Sequence, residues 1–332
     1  MDARDLQILL FQQIRQKVPD QSALIDTIAQ LLDISADSAY RRMRGETLLD
    51  LGETGKLCRQ FQVSLDGLFG NMEGKVVFST PPVNEENFDF AGYLRGILRN
   101  MQYFRSFENA RLYYECKDIP VFYHFHSREL AAFKYFFWMK YILQQDSFRG
   151  KRFSMDEYPD DFFQIGRNIL HLYNTIPSVE FWNTESINST LKQIYYFYET
   201  GNISKKSEVR LIFGRMMELY NHFEEIAESG SKTPLPEIDN GAKGETLDVY
   251  FNEVLLGNNM IFAKLGASQL TFFNHSGIRY TGTSDLSFGA EILKGLERLT
   301  KSSTRLSSIN QVQRTAFFAE ARENIKGFLA KI

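Results

Sequence analysis

The stretch IAQLLDISADSAYRRMRG, residues 28–45, decides how the N-terminal part of this chain folds. Ile28 and Leu32 are four residues apart, which gives a first helix one apolar face. Ala39 and Met43 repeat the same spacing and give a second helix an apolar stripe. The sequence therefore predicts two short amphipathic helices joined by a tight turn.

The ends and the outer face of the second helix are marked by particular residues. Ser35 stands where the helix should begin, because its hydroxyl can accept a hydrogen bond from an unpaired backbone N–H. Gly45 follows the helix as a stop signal. Tyr40, Arg41 and Arg44 point away from the apolar stripe. A helix that packs through one face and carries arginine on the other is suited to the major groove of DNA.

The net charge of the chain gives no global attraction to nucleic acid. The formal net charge is −3, and residues 1–69 hold 8 Lys and Arg against 10 Asp and Glu. Residues 35–45, however, hold three Arg against one Asp. Because phosphate contacts supply much of the affinity for DNA, any attraction to DNA is confined to one helix. We expect weak non-specific binding that falls steeply with salt.

The length of the chain, 332 residues, is enough for about two domains. A stretch that contains glycines, a Pro-Pro pair and acidic residues predicts a linker at 70–87. This linker would separate an N-terminal helical bundle, residues 1–69, from a larger region, residues 88–332.

Cysteine usage and hydropathy predict a cytoplasmic protein that does not associate with membranes. Cys58 and Cys116 are the only cysteines, too few for a disulfide framework. The N-terminus lacks the apolar core of a signal peptide. The most apolar run, residues 129–143, is interrupted by Lys134 and Lys140 and is too short to span a bilayer.

Apolar periodicity and turn signals predict a mostly α-helical chain. The predicted helices lie at 3–18, 22–32, 35–44, 50–60, 88–108, 128–146, 158–174, 179–200, 205–229, 285–300 and 308–330. Residues 111–125 are predicted to form a β-hairpin, and residues 246–283 have the composition of several short strands. The fold class expected for the larger region is α+β, with a small antiparallel sheet covered by helices.

The N-terminal residues 5–69 resemble the Cro-repressor-like helix-turn-helix family, closest to its BetR-type N-terminal variant. The resemblance is carried by IAQLLDISADSAYRRMRGETLLDL and LCRQFQVSLDGLF, and its most specific marks are Ala29, Ser35, Gly45 and the motif V-S-L-D-x-L-F at Val63–Phe69. Asp33 occupies a place in the turn where the family usually has glycine. Arg42 stands where many members carry an apolar residue, with Met43 one place later.

The resemblance implies that residues 35–44 form a recognition helix. By position, the residues that would face base edges are Ala36, Asp37, Ser38 and Arg41. Those better placed for phosphates are Ser35, Tyr40, Arg42 and Arg44. Arg41 could bond a guanine through two hydrogen bonds, while Asp37 could accept from a cytosine amino group.

The larger region is similar to uncharacterised C-terminal regions that accompany this helix-turn-helix in Bacteroidetes-type regulators. KDIPVF (117–122) and ELAAFKYFFWMK (129–140) carry this similarity. It implies no known activity, so the role of the larger region stays open.

Residues that could carry other chemistry are few. His124 and His126, predicted on one strand face, could ligate a metal, but packing inside the fold is the favoured interpretation because no acidic or cysteine cluster accompanies them. The aromatic run at 133–138 could line a ligand pocket, although core packing is more common. No nucleotide-binding, metalloprotease or hydrolase motif occurs. The sequence therefore predicts no catalytic residue, metal or cofactor.

The predicted function is sequence-specific binding of double-stranded DNA by a transcriptional regulator. A homodimer is expected, since one recognition helix reads only a few base pairs. The larger region would support dimerisation and could also sense a small-molecule or protein effector. Two alternatives stay open: a protein-interaction scaffold that uses the helical bundle, and an enzyme with an unfamiliar site in the larger region.

Overall fold

The structure is a computed structural model that describes residues 2–18, 24–61, 63–65, 75–80, 88–235, 237–239, 241–255, 257 and 259–332. The chain divides into two units, Met1–Phe78 and Ser79–Ile332. The division falls inside the predicted linker, of which the structure describes residues 75–80. The rest of the linker, and the end of the V-S-L-D-x-L-F motif from Asp66 to Phe69, lie outside the described residues.

The N-terminal unit is helical throughout its described elements. Its helices are α1 (Ala3–Lys17), α2 (Leu24–Leu32), α3 (Ala36–Met43) and α4 (Leu51–Phe61). Asp2 caps α1, because its carboxylate accepts the backbone N–H of Asp5 at 2.8 Å. The helices share one core, formed by Leu10, Phe11, Ile14, Leu24, Ile28, Leu32, Ala39, Met43, Leu57 and Val63. All four helices lie close to the predicted bounds.

The second unit contains seven α-helices among its described residues. They are α5 (Phe90–Arg105), α6 (Arg128–Phe137), α7 (Asp160–Asn174), α8 (Thr184–Glu199), α9 (Lys206–Ser229), α10 (Leu286–Lys301) and α11 (Gln311–Leu329). A π-helix, Trp138–Ile142, continues α6. Short 3-10 helices occur at Val121–His126, Asp146–Phe148 and Met155–Glu157.

The sheet of the second unit overturns the predicted small antiparallel sheet. Its strands are β1 (Ala110–Cys116), β2 (Ser178–Trp182), β3 (Leu247–Phe251), β4 (Met260–Leu265), β5 (Ser268–Ser276), β6 (Arg279–Thr283) and β7 (Thr304–Arg305). Their order is β6-β5-β4-β1-β2-β3-β7. β1, β2 and β3 are parallel, whereas the other pairs are antiparallel. The fold is therefore a mostly helical chain with a seven-stranded mixed sheet.

Two local predictions fail for identifiable reasons. The strand β2 was predicted as the start of a helix, but all five of its residues are buried. A strand that is covered on both faces has no alternation of polar and apolar residues to reveal it. The predicted hairpin at 111–125 contains only β1, because the chain after Pro120 forms a 3-10 helix instead of returning as a strand.

Helices cover the two faces of the sheet unequally. One face packs on the large core, to which α5, α6, α7, α8, α9 and α11 contribute. Among the described helices, α10 contributes to the cluster on the other face, which is made of Val179, Phe181, Met260, Phe262, Leu296 and Leu299. The central parallel strand β2 is thus buried on both sides, whereas β1 and β3 alternate buried with half-buried residues.

The outer edge of β6 is paired with a residue that precedes the second unit's first helix. Ser79 and Gly282 exchange two backbone hydrogen bonds, of 2.7 and 2.9 Å. The hydroxyl of Thr80 donates to that of Thr281 at 2.9 Å. At the opposite edge of the sheet, β7 contains only two residues.

A carboxylate lies at the centre of the second unit. Glu180, on β2, is fully buried. Its Oε1 accepts the hydroxyls of Tyr123 at 2.9 Å and Tyr173 at 2.5 Å, and its Oε2 accepts the indole N–H of Trp182 at 2.9 Å. Lys232, also buried, donates to the carbonyl of Tyr173 at 2.7 Å. Burial lowers the pKa of Lys232 to about 7, while the charge of Glu180 opposes this shift.

His124 is buried beside a charged pair. Its ring nitrogens lie 3.3 Å from the carbonyl of Val121 and 3.5 Å from the hydroxyl of Thr190. Burial and the neighbouring Lys134 together lower the pKa of His124 to about 3, although Asp118 opposes the shift. The folded protein therefore holds this imidazole neutral in mildly acidic solution.

We expect His124 to make the second unit less stable in acid. Its folded pKa lies below the unfolded value of about 6.5, so the unfolded chain binds the proton first. The stability contribution is complete above pH ~6.5 and is lost as the pH falls towards about 3, by up to about 1.4 kcal/mol per pH unit. Replacing His124→Gln should reduce the fall in urea-unfolding free energy between pH ~7 and ~5 by about 1 kcal/mol per pH unit, because the unfolded imidazole is only partly protonated in the upper part of this range. The same change at exposed His275 should leave the slope intact, and an unchanged slope in H124Q would contradict the argument.

Within the described residues, no helix combines the length and the apolar character that crossing a membrane requires. Cys58 and Cys116 are both free thiols.

Candidate nucleic-acid interface

The turn between α2 and α3 is built on Asp33, whose φ is +57°. The backbone N–H of Ile34 donates to the carbonyl of Ala29 at 3.0 Å and closes the end of α2. Aspartate is one of the few residues besides glycine that enter the left-handed region at modest cost. The turn therefore forms although aspartate replaces the glycine of the resembled family.

Ser35 is the N-cap of α3. Its hydroxyl oxygen accepts the backbone N–H of Ser38 at 3.2 Å and donates its own proton to the Ser38 hydroxyl at 2.9 Å. This is the capping role that the sequence predicts for Ser35. The two hydroxyls hold the first turn of α3 in place.

Gly45 ends α3 with a φ of +69°. Its N–H donates to the carbonyl of Arg42 at 3.0 Å, and the N–H of Glu46 donates to the carbonyl of Arg41 at 2.9 Å. This pair of bonds is the Schellman motif, which uses glycine because other residues are strained at positive φ. A Cβ at Gly45 would also lie 2.9 Å from Cγ of Arg4. Both the conformation and the packing therefore require glycine here.

The two faces of α3 have different surroundings. Ala39 is fully buried and Met43 is 8% exposed, so the predicted apolar stripe packs into the core of the N-terminal unit. Tyr40 is 46% exposed, and the side chains of Arg41 and Arg44 are 59% and 58% exposed. The outer face of α3 thus presents two guanidinium groups to solvent.

Both exposed arginines have acidic partners at the surface. Nε of Arg41 lies 3.1 Å from Oδ2 of Asp37, and Nε of Arg44 lies 3.1 Å from Oε1 of Glu46. The Arg44 guanidinium is also 5.6 Å from the ring centre of Tyr40. Exposed ion pairs of this kind contribute little free energy, about 0–1 kcal/mol each. The arginines can therefore exchange these carboxylates for another anion at small cost.

Arg42 does not face solvent, because its guanidinium pairs with Glu53 on α4. Its Nε and Nη2 donate to Oε2 and Oε1 of Glu53 at 3.0 and 2.8 Å, and only 17% of its side chain is exposed. Glu53 in turn accepts the backbone N–H of Asp50 at 3.2 Å. The carboxylate thus caps α4 and holds α3 against it. We therefore leave Arg42 out of the candidate interface.

Gln7 fixes the segment that follows α3. It lies on α1, is 6% exposed, and donates its amide N–H groups to the carbonyls of Arg42 at 2.6 Å and Thr47 at 2.8 Å. Its Oε1 accepts the backbone N–H of Leu49 at 2.8 Å. One side chain therefore satisfies three backbone groups, one in the last turn of α3 and two in the loop between α3 and α4, and it positions the C-terminal end of α3.

The remaining predicted interface residues lie at the N-cap and in the first turn of α3. Ser35, Ala36 and Asp37 are exposed, and Ser38 is half-buried. The structure thus brings together at one surface all the predicted residues except Arg42: Ser35, Ala36, Asp37, Ser38, Tyr40, Arg41 and Arg44.

The other residues that the sequence singled out have packing partners. His124 and His126 lie on a 3-10 helix, where a strand was predicted, and the His126 ring centre is 4.9 Å from that of His222. The described residues contain no group of three or more His, Cys, Asp or Glu that could hold a metal ion. The aromatic run packs into the large core, in which Phe133 is fully buried.

Gln7 and Glu53, which support α3, are not predicted from the sequence. Glu53 follows Asp50 by three residues, which is the spacing of a capping box and could have been recognised. Gln7 carries no local signal, since its three partners lie 35 to 42 residues away in sequence. Its role depends on the packing of α1 against the end of α3.

Comparisons with known proteins add no assignment: no family model matches the chain, and neither does any curated protein or solved structure.

Proposed function

We propose that the chain is a cytoplasmic transcriptional regulator whose N-terminal unit binds double-stranded DNA through α3. The observation that carries the proposal is the asymmetry of α3: Ala39 and Met43 anchor it in the core, while Arg41 and Arg44 stay more than half exposed. An α-helix fits the major groove of B-form DNA, and arginine is the side chain that most often reads guanine there.

The residues of α3 divide into base readers and phosphate contacts. Ala36, Asp37 and Arg41 would face base edges, together with Ser38, while Arg44 would contact phosphate together with Ser35 and Tyr40. Nε of Arg41 is held by Asp37. This leaves the two Nη groups of Arg41 to donate to O6 and N7 of a guanine.

The acidic partners predict a modest affinity for non-specific DNA. Asp37 and Glu46 lie beside the two exposed arginines and repel phosphate. Only two guanidinium groups of α3 remain to displace counterions from the duplex, so the electrostatic part of the affinity is small. Specific base contacts must then supply more of the binding free energy than in a strongly basic domain.

Two copies of the chain would read a site with twofold symmetry. A single eight-residue helix contacts only a few base pairs, which is too little to select one site in a genome. In a twofold dimer the two recognition helices lie about 34 Å apart, one turn of DNA, or a multiple of it. We therefore expect a pseudo-palindromic operator.

The proposal is tested by selecting duplexes from a randomised DNA pool with the full chain and measuring gel shifts at low and moderate salt. We expect Arg41→Ala to weaken the selected duplex by roughly 5- to 150-fold and to relax the preference at one base pair. Arg44→Ala should weaken all duplexes similarly and reduce the salt slope by about 1.

Lys56→Ala, on the exposed surface of α4, is the matched control and should change neither quantity. If wild type and R41A bound the selected duplex equally well, this would contradict the assignment of α3 as the recognition helix. Absence of any shift at low salt would remove DNA binding altogether.

A second candidate is a protein-interaction module, which the exposed acidic groups of α3 favour. Asp37 and Glu46 flank Arg41 and Arg44, and such mixed charge is common at the rims of protein interfaces. This candidate predicts a partner that binds in nuclease-treated solution, with an affinity that D37N and R41A both lower.

A further inference from the structure

A surface cavity lies where the π-helix of the second unit ends. Its volume is about 700 Å³, and its lining residues are Lys140, Tyr141, Gln144, Gln145, Asp146, Arg149 and Gly150. Small-molecule sites in proteins commonly enclose roughly 300–1,000 Å³. This cavity is open to solvent on one side, so a compact organic ligand bound there would stay partly exposed.

The backbone around this cavity is irregular. The N–H of Leu143 donates to the carbonyl of Trp138 at 2.8 Å, five residues earlier, which is the π-helical pattern. Gln144 follows with a φ of +48°, and Gly150 has a φ of +77°. Single π-turns and left-handed non-glycine residues cost free energy and cluster at functional sites. Two such features on one cavity wall point to a ligand.

The charged groups of the lining favour an anion. Lys140 and Arg149 oppose the single carboxylate of Asp146. The ammonium of Lys140 donates to the carbonyls of Phe148 and Lys151, which uses two of its three protons and holds it in place. Arg149 has no ion pair with a described residue, so its planar fork is free to take a carboxylate through two hydrogen bonds.

An exposed aromatic ring lies in the same lining. Tyr141 is 52% exposed and stacks on Phe137 with ring centres 5.4 Å apart. Tyr196, 46% exposed, meets Tyr141 edge-on at 5.8 Å. Stacking on Phe137 fixes the plane of the Tyr141 ring, and a second flat ring gains by packing against such a fixed surface.

We propose that this cavity binds a small aromatic carboxylate, with Arg149 and Lys140 holding the carboxylate and Tyr141 packing against the ring. The planar guanidinium of Arg149 can donate two parallel hydrogen bonds to a carboxylate. The ring of Tyr141 favours an aromatic ring as its packing partner. This site goes beyond the proposed DNA-binding function, and it does not depend on it.

The test titrates the full chain, without DNA, by isothermal calorimetry with three probes: 2-naphthoate, 2-naphthamide and inorganic phosphate. We expect saturable binding of 2-naphthoate with a Kd near or below ~1 mM, the range typical of ligands of this size. The amide, equal in shape but neutral, and phosphate, charged but without a ring, should each bind at least about tenfold more weakly.

Arg149→Gln and Tyr141→Leu should each weaken 2-naphthoate by about tenfold. Arg152→Gln, an exposed arginine outside the lining, is the matched control and should change nothing. Equal binding of amide and carboxylate would overturn the anion assignment, and equal binding of phosphate would overturn the aromatic one. Absence of binding, or binding unaffected by R149Q and Y141L, would overturn the site itself. The titrations contain no DNA, so their results do not depend on whether the chain binds DNA.

Discussion

Replacing Glu180→Ala should lower the unfolding free energy of the second unit by about 4 kcal/mol. The carboxylate is fully buried and accepts three hydrogen bonds, from Tyr123, Tyr173 and Trp182. Its removal leaves three buried hydrogen-bond donors without an acceptor, and each such donor costs about 1–3 kcal/mol of stability. Lys232 also loses the negative charge that opposes the lowering of its pKa by burial.

Urea unfolding followed by tryptophan fluorescence measures this effect on one unit alone. Trp138 and Trp182 are the only tryptophans of the chain, and both belong to the second unit. The matched control is Glu297→Ala, an exposed glutamate on α10, which should change stability by less than about 0.5 kcal/mol. A loss below about 1 kcal/mol in E180A would mean that the three donors find other partners.

Replacing Gln7→Ala should loosen α3 and weaken DNA binding, although Gln7 lies on a different helix. The last turn of α3 and the loop after it would lose three hydrogen bonds at once, a cost of about 3 kcal/mol. Small units have little stability in reserve because they bury a smaller fraction of their surface. The amides of α3 should then exchange with deuterium about 100-fold faster.

Hydrogen exchange of peptides from residues 24–61, read by mass spectrometry, measures this loosening without interference from the second unit. Gln12→Ala is the matched control, since Gln12 is exposed on the same helix, and it should leave the protection of α3 unchanged. Unchanged protection in Q7A would show that core packing alone holds α3.

The helices of the N-terminal unit could be predicted because their signals are local. Ile28 and Leu32 show the apolar spacing, and Ser35 and Gly45 mark the ends of α3 through capping chemistry that involves neighbours in sequence. Asp33 stands where the resembled family usually has glycine. Its positive φ could still be predicted, since aspartate tolerates this conformation.

The sheet of the second unit could not be predicted in the same way. The segment SVEFW at Ser178–Trp182 is buried on both faces, so its pattern does not distinguish a strand from a buried helix. Its parallel pairing with β1 and β3 joins segments separated by several helices. Composition correctly indicated strands near 246–283. It could not show that β3 pairs in parallel with β2, or that β4 pairs antiparallel with β1.

The candidate interface was predicted in position but not in its supporting contacts. Arg41 and Arg44 face solvent because their neighbours Ala39 and Met43 face the core, which follows from helical periodicity. Arg42 turns towards Glu53 on α4, and this depends on how two helices pack. No property of the residues 35–45 taken alone reveals which of three arginines has a partner eleven residues away.

Both lateral edges of the sheet offer only short stretches of unpaired backbone among the described residues, and this bears on how two copies of the chain can associate. Along β6, Ser79 already occupies the hydrogen-bonding groups of Gly282, and at the other end β7 offers only two residues. Exposed strand edges are the usual templates for unwanted strand addition between molecules. For the proposed dimer on an operator, short edges of this kind would keep two copies from joining through their sheets. The twofold contact is therefore expected to form through side chains on helices or loops, leaving the sheets of the two copies separate.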